Sequence, residues 1–132
     1  MKLEHIGIAV KDLLGSNEIF TKLLGENPYK EEEVESEGVK TSFFKVGESK
    51  VELVASQKND SAIEKYLEKN REGIHHLAFG VENLDQEIER LKNEGFIFIN
   101  ETPKLGADNK RIVFLHPKTT NGVLVELCED VK

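Results

Sequence analysis

A single cysteine, Cys128, occurs in 132 residues, so no intramolecular disulfide can form and a cysteine-rich zinc site is excluded. That usage fits a reducing compartment, and a cytoplasmic location is the expectation. Long hydrophobic runs are also missing: Glu4 and His5 interrupt the apolar residues near the N-terminus, so neither a signal peptide nor a membrane span is expected. Positive charge is scarce. With 18 Lys and Arg against 25 Asp and Glu the formal net charge is −7, which argues against a nucleic-acid surface unless basic residues are concentrated locally. No Gly-rich phosphate loop, hydrolase nucleophile elbow or Ser-His-Asp order is present. The length and a hydrophobic content of 38% suit one ordinary globular domain, or two very small ones that share a core.

What the chain does have is an internal repeat. Gly73-Ile74-His75-His76-Leu77-Ala78-Phe79-Gly80-Val81 echoes Glu4-His5-Ile6-Gly7-Ile8-Ala9-Val10, and Lys50-Val51-Glu52-Leu53-Val54 is matched by Leu124-Val125-Glu126-Leu127. Each half opens with a His and closes with a Glu.

Alternation from Leu3 to Val10 reads as a strand, with Ile6, Ile8 and Val10 on one face and His5, Gly7 and Ala9 on the other. Asp12 to Gly25 reads as an amphipathic helix, with Ser16 and Asn17 as possible caps, Ile19, Phe20, Leu23 and Leu24 at helical spacing and Gly25 as the stop. Asn27-Pro28 breaks the chain, Tyr29 to Val34 forms a charged edge strand, and Thr41 to Val46 with Lys50 to Ala55 forms a hairpin around Gly47. In that hairpin Glu52 shares a face with Val54. Ile63, Tyr66 and Leu67 mark a linker helix capped by Asp60 or Ser61. The second half restarts with a strand from Ile74 to Val81, a helix from Leu84 to Glu94 ended by Gly95, and strands at Phe96 to Ile99, Arg111 to Leu115 and Val123 to Cys128. Only Thr102 to Asn109, a Pro- and Gly-containing loop, breaks the symmetry, and long loops in compact domains commonly carry function. The expected fold is α+β: two paired βαβββ modules, residues 1–56 and 73–132 joined by a linker helix at 57–72, forming a concave sheet around a metal site.

Small residues flank both histidines on their strands, Gly7 and Ala9 beside His5 and Ala78 and Gly80 beside His76, which leaves room for a ligand. His5, Glu52, His76 and Glu126 form an N/O donor set suited to a borderline divalent ion, zinc, cobalt, nickel, manganese or iron. Four protein donors around a six-coordinate ion leave positions for substrate, which favours Lewis-acid catalysis over a structural role. His75 alternates to the opposite face, His116 reads as a turn residue at a strand end, Cys128 as a small buried residue, and Glu31 to Glu33 as a solvated edge. From Lys104 to Lys118, Lys104, Lys110, Arg111 and Lys118 face a single acid, Asp108. This local basic stretch in an acidic chain is a candidate contact for an anionic ligand.

These stretches, together with Pro103-Lys104-Leu105-Gly106-Ala107 and Phe114-Leu115-His116-Pro117-Lys118, resemble the vicinal oxygen chelate superfamily, and within it the methylmalonyl-CoA epimerases over nearly the whole length. The resemblance implies paired βαβββ modules, a divalent metal, a homodimer, an acyl-CoA substrate and interconversion of the two methylmalonyl-CoA epimers. His5, His76 and Glu126 fall on ligand positions, and Glu52 falls where some of these epimerases have Gln. Glu126 is expected to act as base as well as ligand, with Glu52 next in line, and Lys104, Lys110, Arg111 and Lys118 to hold the CoA phosphates. Where some epimerases place a second carboxylate this chain has Thr41, and Glu35 and Glu37 are its nearest acids. A glyoxalase I-like lactoylglutathione lyase and a metal-free small-molecule-binding protein of the same fold are the alternatives. An extradiol dioxygenase is disfavoured because a fourth donor, Glu52, closes a position that oxygen chemistry needs.

Overall fold

The structure, a computed structural model, describes residues 1–132. Its elements run β1 (Lys2–Ala9), α1 (Leu13–Leu24), β2 (Lys30–Val34), β3 (Val39–Val46), β4 (Ser49–Ser56), α2 (Ala62–Lys69), β5 (Gly73–Gly80), α3 (Leu84–Asn93), β6 (Lys104–Leu105), β7 (Lys110–Leu115) and β8 (Val125–Asp130), with a 3₁₀ turn at Pro117–Thr119. This is βαβββ, a linking helix, and βαβββ again. The hydrogen-bonded strand order β2-β3-β4-β1-β5-β8-β7-β6 reads as the same four-strand pattern written outward from β1 and from β5. None of the three helices is long and apolar enough to cross a membrane.

Chain packing resolves two compact units, Ile6–His75 and a second composed of Met1–His5 with His76–Lys132. The start of β1, including His5, therefore packs with the second half of the chain.

In the unit Ile6–His75, β3 and β4 form an antiparallel hairpin whose two-residue connection has Gly47 at φ 61, the first central position that a right-twisted hairpin turn requires. Residues Val51, Leu53 and Ala55 of β4 pack with Val10, Phe44 and the α1 residues Leu13, Phe20 and Leu24. Alternation then sends Glu52 and Val54 to the other face, as expected. The helix itself departs from expectation in two respects. Its N-cap is Asp12, in extended conformation with no side-chain cap bond, rather than Ser16 or Asn17, which lie inside the first turns. Its packed stripe is Leu13, Phe20 and Leu24, while Ile19 and Leu23 are exposed. Gly25 ends the helix at φ 77 with its N–H bonded to Thr21 O. The acidic strand β2 lies at the sheet edge, paired with β3 alone, and α2 is capped by Ser61, whose hydroxyl accepts from Glu64 N.

In the second unit, α3 buries Leu84, Ile88 and Leu91 against Phe98, Val113, Leu115 and Leu127, and Asn83 caps it by accepting from Gln86 N. The expected strand at Phe96 to Ile99 is reduced to one bridge, Phe98 to Leu115. Ile99 N donates to Phe114 O and His116 N to Ile97 O, so the segment runs beside β7 without extending a ladder. The second strand of the repeat comes instead from within the expected loop. Lys104–Leu105 pairs with Arg111 and Ile112, and the turn closes through Asp108 and Asn109, both at φ 58, where short polar side chains tolerate the left-handed region. Gly106 packs closely for a different reason: a Cβ there would sit 2.7 Å from Cδ1 of Ile112, so that side chain would have to shift.

Candidate metal centre

Parallel pairing of β5 with β8 sets Ala78 opposite Glu126, which puts His76 and Glu126 on one face as diagonal neighbours across the ladder. The small Ala78, fully buried between them, leaves the space above the strand to larger side chains. On the same face Ala78, Cys128 and Ile112 form a small apolar cluster with Phe114 against it. The N-terminal part of β1 brings in His5.

Three donor groups meet there. Nε2 of His5 lies 3.1 Å from Nε2 of His76, and these atoms lie 3.8 and 3.5 Å from the Glu126 carboxylate oxygens. Two donors each about 2.1 Å from one ion are about 3.0 Å apart at a right angle and about 3.4 Å apart at a tetrahedral angle, so these separations suit donors sharing a small divalent cation. The rings stand nearly perpendicular, at 86°. All three residues are buried, a costly position for ionisable groups unless they are paired or coordinate a metal. Glu52, on β4 in the other unit, is also buried.

Two supporting residues carry no signal in the spacing of the motifs. Phe114, the β7 partner of Glu126, packs the His76 ring edge-on at 6.0 Å and thereby limits its rotation. Glu4, buried, places a carboxylate oxygen 3.6 Å from Nδ1 of His5. A register for β7 against β8 would have revealed the first. The second follows from a residue adjacent in sequence to the ligand, which strand alternation would send to the opposite face.

The other singled-out residues separate cleanly. His75 packs its ring against Tyr66 at 4.8 Å and faces away from the donors. His116 caps the 3₁₀ turn, its Nδ1 accepting from Lys118 N. Cys128 is buried and donates to Phe79 O. Glu35 and Glu37 lie in the turn between β2 and β3 rather than on a strand face. Of the basic set, Lys104 and Lys118 are exposed, whereas Lys110 contacts Asp130 with Glu4 4.0 Å away, and Arg111 bonds Glu129 at 2.9 Å and Asp85 at 3.4 Å. The hydrogen bond to Glu129, then that to Asp85, raises the Arg111 pKa further. The excess of positive charge along this stretch is thus partly offset by acids from α3 and β8, which a local count along the chain omits.

With this geometry, residues 4–114 match the Glyoxalase/Bleomycin resistance protein/Dioxygenase superfamily, and the chain belongs to that family. An uncharacterized protein of Bacillus subtilis (strain 168) is 38% identical over 97% of this chain and 91% of its own length. The ethylmalonyl-CoA/methylmalonyl-CoA epimerase of Cereibacter sphaeroides is 37% identical over 96% of both chains. Among solved structures, a methylmalonyl-CoA epimerase in complex with methylmalonyl-CoA and NH4+ superposes with a TM-score of 0.94 at 34% identity, covering 98% of this chain and 94% of that one. These two epimerases are thus matched over nearly all of their length, and the solved one shares the fold of this chain.

Proposed function

We propose that this protein is a metal-dependent epimerase that interconverts (R)- and (S)-methylmalonyl-CoA. The observation that carries the reading is the convergence of His5, His76 and Glu126 in a buried face at 3.1–3.8 Å, and the repeat in the sequence nominates the buried Glu52 as the fourth donor. The named epimerase relatives support the substrate class, an acyl-CoA. A divalent ion held by these residues would supply Lewis acidity at the thioester oxygen, where negative charge develops as the α-proton leaves.

The chain's own part is binding, exclusion of water and proton movement. His5 and His76 present Nε2 to the site, and Phe114 keeps the His76 ring in place. The buried Glu126 carboxylate takes the proton from the carbon between the thioester and the carboxylate of the substrate, a role for which a positioned base contributes about 10²- to 10⁴-fold. Epimerisation is complete when a second, solvent-exchanging donor delivers a different proton to the opposite face of that carbon, while Glu126 keeps the one it removed and later releases it to solvent. The phosphates of CoA meet the basic stretch at the exposed Lys104 and Lys118, while Lys110 and Arg111 also contact Asp130, Glu129 and Asp85.

Incubation with (S)-methylmalonyl-CoA in deuterated water is the test, with metal content measured in the same preparation. Formation of the R epimer with deuterium at the α-carbon, and loss of both metal and turnover in His76→Ala, are expected. Metal content unchanged in that variant, or turnover of a glutathione hemithioacetal in place of the CoA thioester, would overturn the reading.

A further inference from the structure

Two adjacent hydroxyls on β3 are both sealed from solvent, and only one of them has a partner. Ser42 points to the α1 side, where its Oγ reaches Glu31 Oε1 at 3.5 Å and Asn17 Nδ2 donates to the same oxygen. Thr41, 1% exposed, points the other way, and its Oγ1 meets no hydrogen-bonding group of the protein. Buried hydroxyls in folded proteins are nearly always satisfied, because an unmet one keeps its desolvation cost with nothing in return. Valine would fill this strand position equally well, since it is β-branched like threonine and lacks the hydroxyl.

The surroundings of Thr41 indicate what the hydroxyl is for. In the β3–β4 register Thr41 lies opposite Val54 and Phe43 opposite Glu52, so Thr41, Phe43, Val54 and Glu52 share one face, with Thr41 and Glu52 as diagonal neighbours. The ring of Tyr29 packs on Phe43 and walls that face. The orphan hydroxyl therefore sits in an otherwise apolar wall beside the carboxylate assigned to the metal.

We infer that Thr41 is a substrate-contacting residue, its Oγ1–H donating a hydrogen bond to an oxygen of the acyl group bound beside Glu52. The inference rests on the proposed function and sharpens it to a specificity contact for an acyl chain that carries a carbonyl or carboxylate oxygen. A residue kept for binding at the expense of folding has a double signature: its removal weakens substrate binding and leaves the free protein at least as stable.

The experiment compares Thr41→Val and Thr41→Ser with the wild type in three measurements: the denaturation midpoint of the free protein, KM and kcat for methylmalonyl-CoA, and metal content. For Thr41→Val we expect a midpoint equal to or above the wild type, metal unchanged and KM raised roughly tenfold, the consequence of one lost hydrogen bond with its partner left unpaired. Thr41→Ser, which keeps the hydroxyl, should restore KM to within about threefold of the wild type. A lowered midpoint in Thr41→Val with unchanged KM would assign the hydroxyl to folding and overturn the inference. KM unchanged at any midpoint would also overturn it while leaving the epimerase reading intact. A wild type that takes up metal yet neither binds nor turns over the CoA thioester overturns the proposed function, and this inference with it.

Discussion

Helices α1 and α3 hold the same place in the repeat and are anchored very differently. α3 buries Leu84, Ile88 and Leu91 and has a side-chain cap at Asn83, whereas α1 has no buried residue, no side-chain cap bond, and Leu14, Ile19 and Leu23 exposed at 76%, 63% and 71%. The donor residues follow another division. His76, Glu126 and the strand end that carries His5 all belong to the unit of α3, and Glu52 alone belongs to the unit of α1. The repeat thus keeps one His and one Glu in each half of the sequence, while the two helices differ in how deeply they are anchored. A repeat visible in sequence need not imply two halves of equal weight.

The largest expected effect tests that asymmetry in the chemistry. Glu126→Gln keeps an oxygen near the donors yet removes the base, so α-proton exchange should fall by about 10²- to 10⁴-fold with metal retained. Glu52→Gln should do less, roughly 10- to 100-fold, through weaker metal binding. Isotope exchange at one limiting metal concentration reads both, and exchange with metal in excess isolates the loss of the base. If exchange persists at a near-normal rate in Glu126→Gln and collapses in Glu52→Gln, the base lies in the first half and the comparison is inverted.

A second prediction concerns packing. Leu84→Ala removes a side chain with no exposure from the core of Phe98, Val113, Leu115 and Leu127 and should cost about 2–5 kcal/mol of stability. Leu23→Ala, on the exposed side of α1, should stay within about 0.5 kcal/mol of the wild type. Urea denaturation measures the two together. Equal losses would mean that the exposed face of α1 is covered in solution.

The contrast also explains what could be read in the sequence. The strand periods, the parity that places Glu52 opposite Val51 and Leu53, and the α3 stripe follow from alternation and helical spacing, which short-range geometry enforces. The α1 stripe was less legible because Phe20 and Ile19 are equally apolar, and only the position of β4 and Val10 selects Leu13, Phe20 and Leu24. Phe96 to Ile99 has strand composition but faces β7 for a single bridge, whereas Lys104–Leu105, set among Pro and Gly, gains its pairing from the Asp108-Asn109 turn. At the site, the two His and Glu126 were legible through the repeat. The support from Phe114 and the orphaned Thr41 hydroxyl depend on register across strands, a non-local property that no spacing along the chain encodes.

The smallest effect expected lies in the segment where the second half departs from the first. Lys104 and Lys118 are exposed, and an exposed cation gains little from an anion in water, about 0.2–1 kcal/mol per contact. Replacing both by Ala should therefore raise KM for the CoA thioester roughly two- to tenfold, with kcat unchanged because phosphate contacts bind substrate and transition state alike. Raising the salt concentration should lift the wild-type KM in the same direction and narrow the gap between wild type and variant, since screening weakens what the substitution removes. Lys110 behaves differently because it is part-buried between Asp130 and Glu4, and Lys110→Met leaves the buried Glu4 carboxylate without that counter-charge. Its main effect should be a lowered denaturation midpoint. A KM rise in Lys110→Met larger than that of the Lys104/Lys118 pair, at unchanged stability, would move the phosphate contact inward to the ion-paired residues.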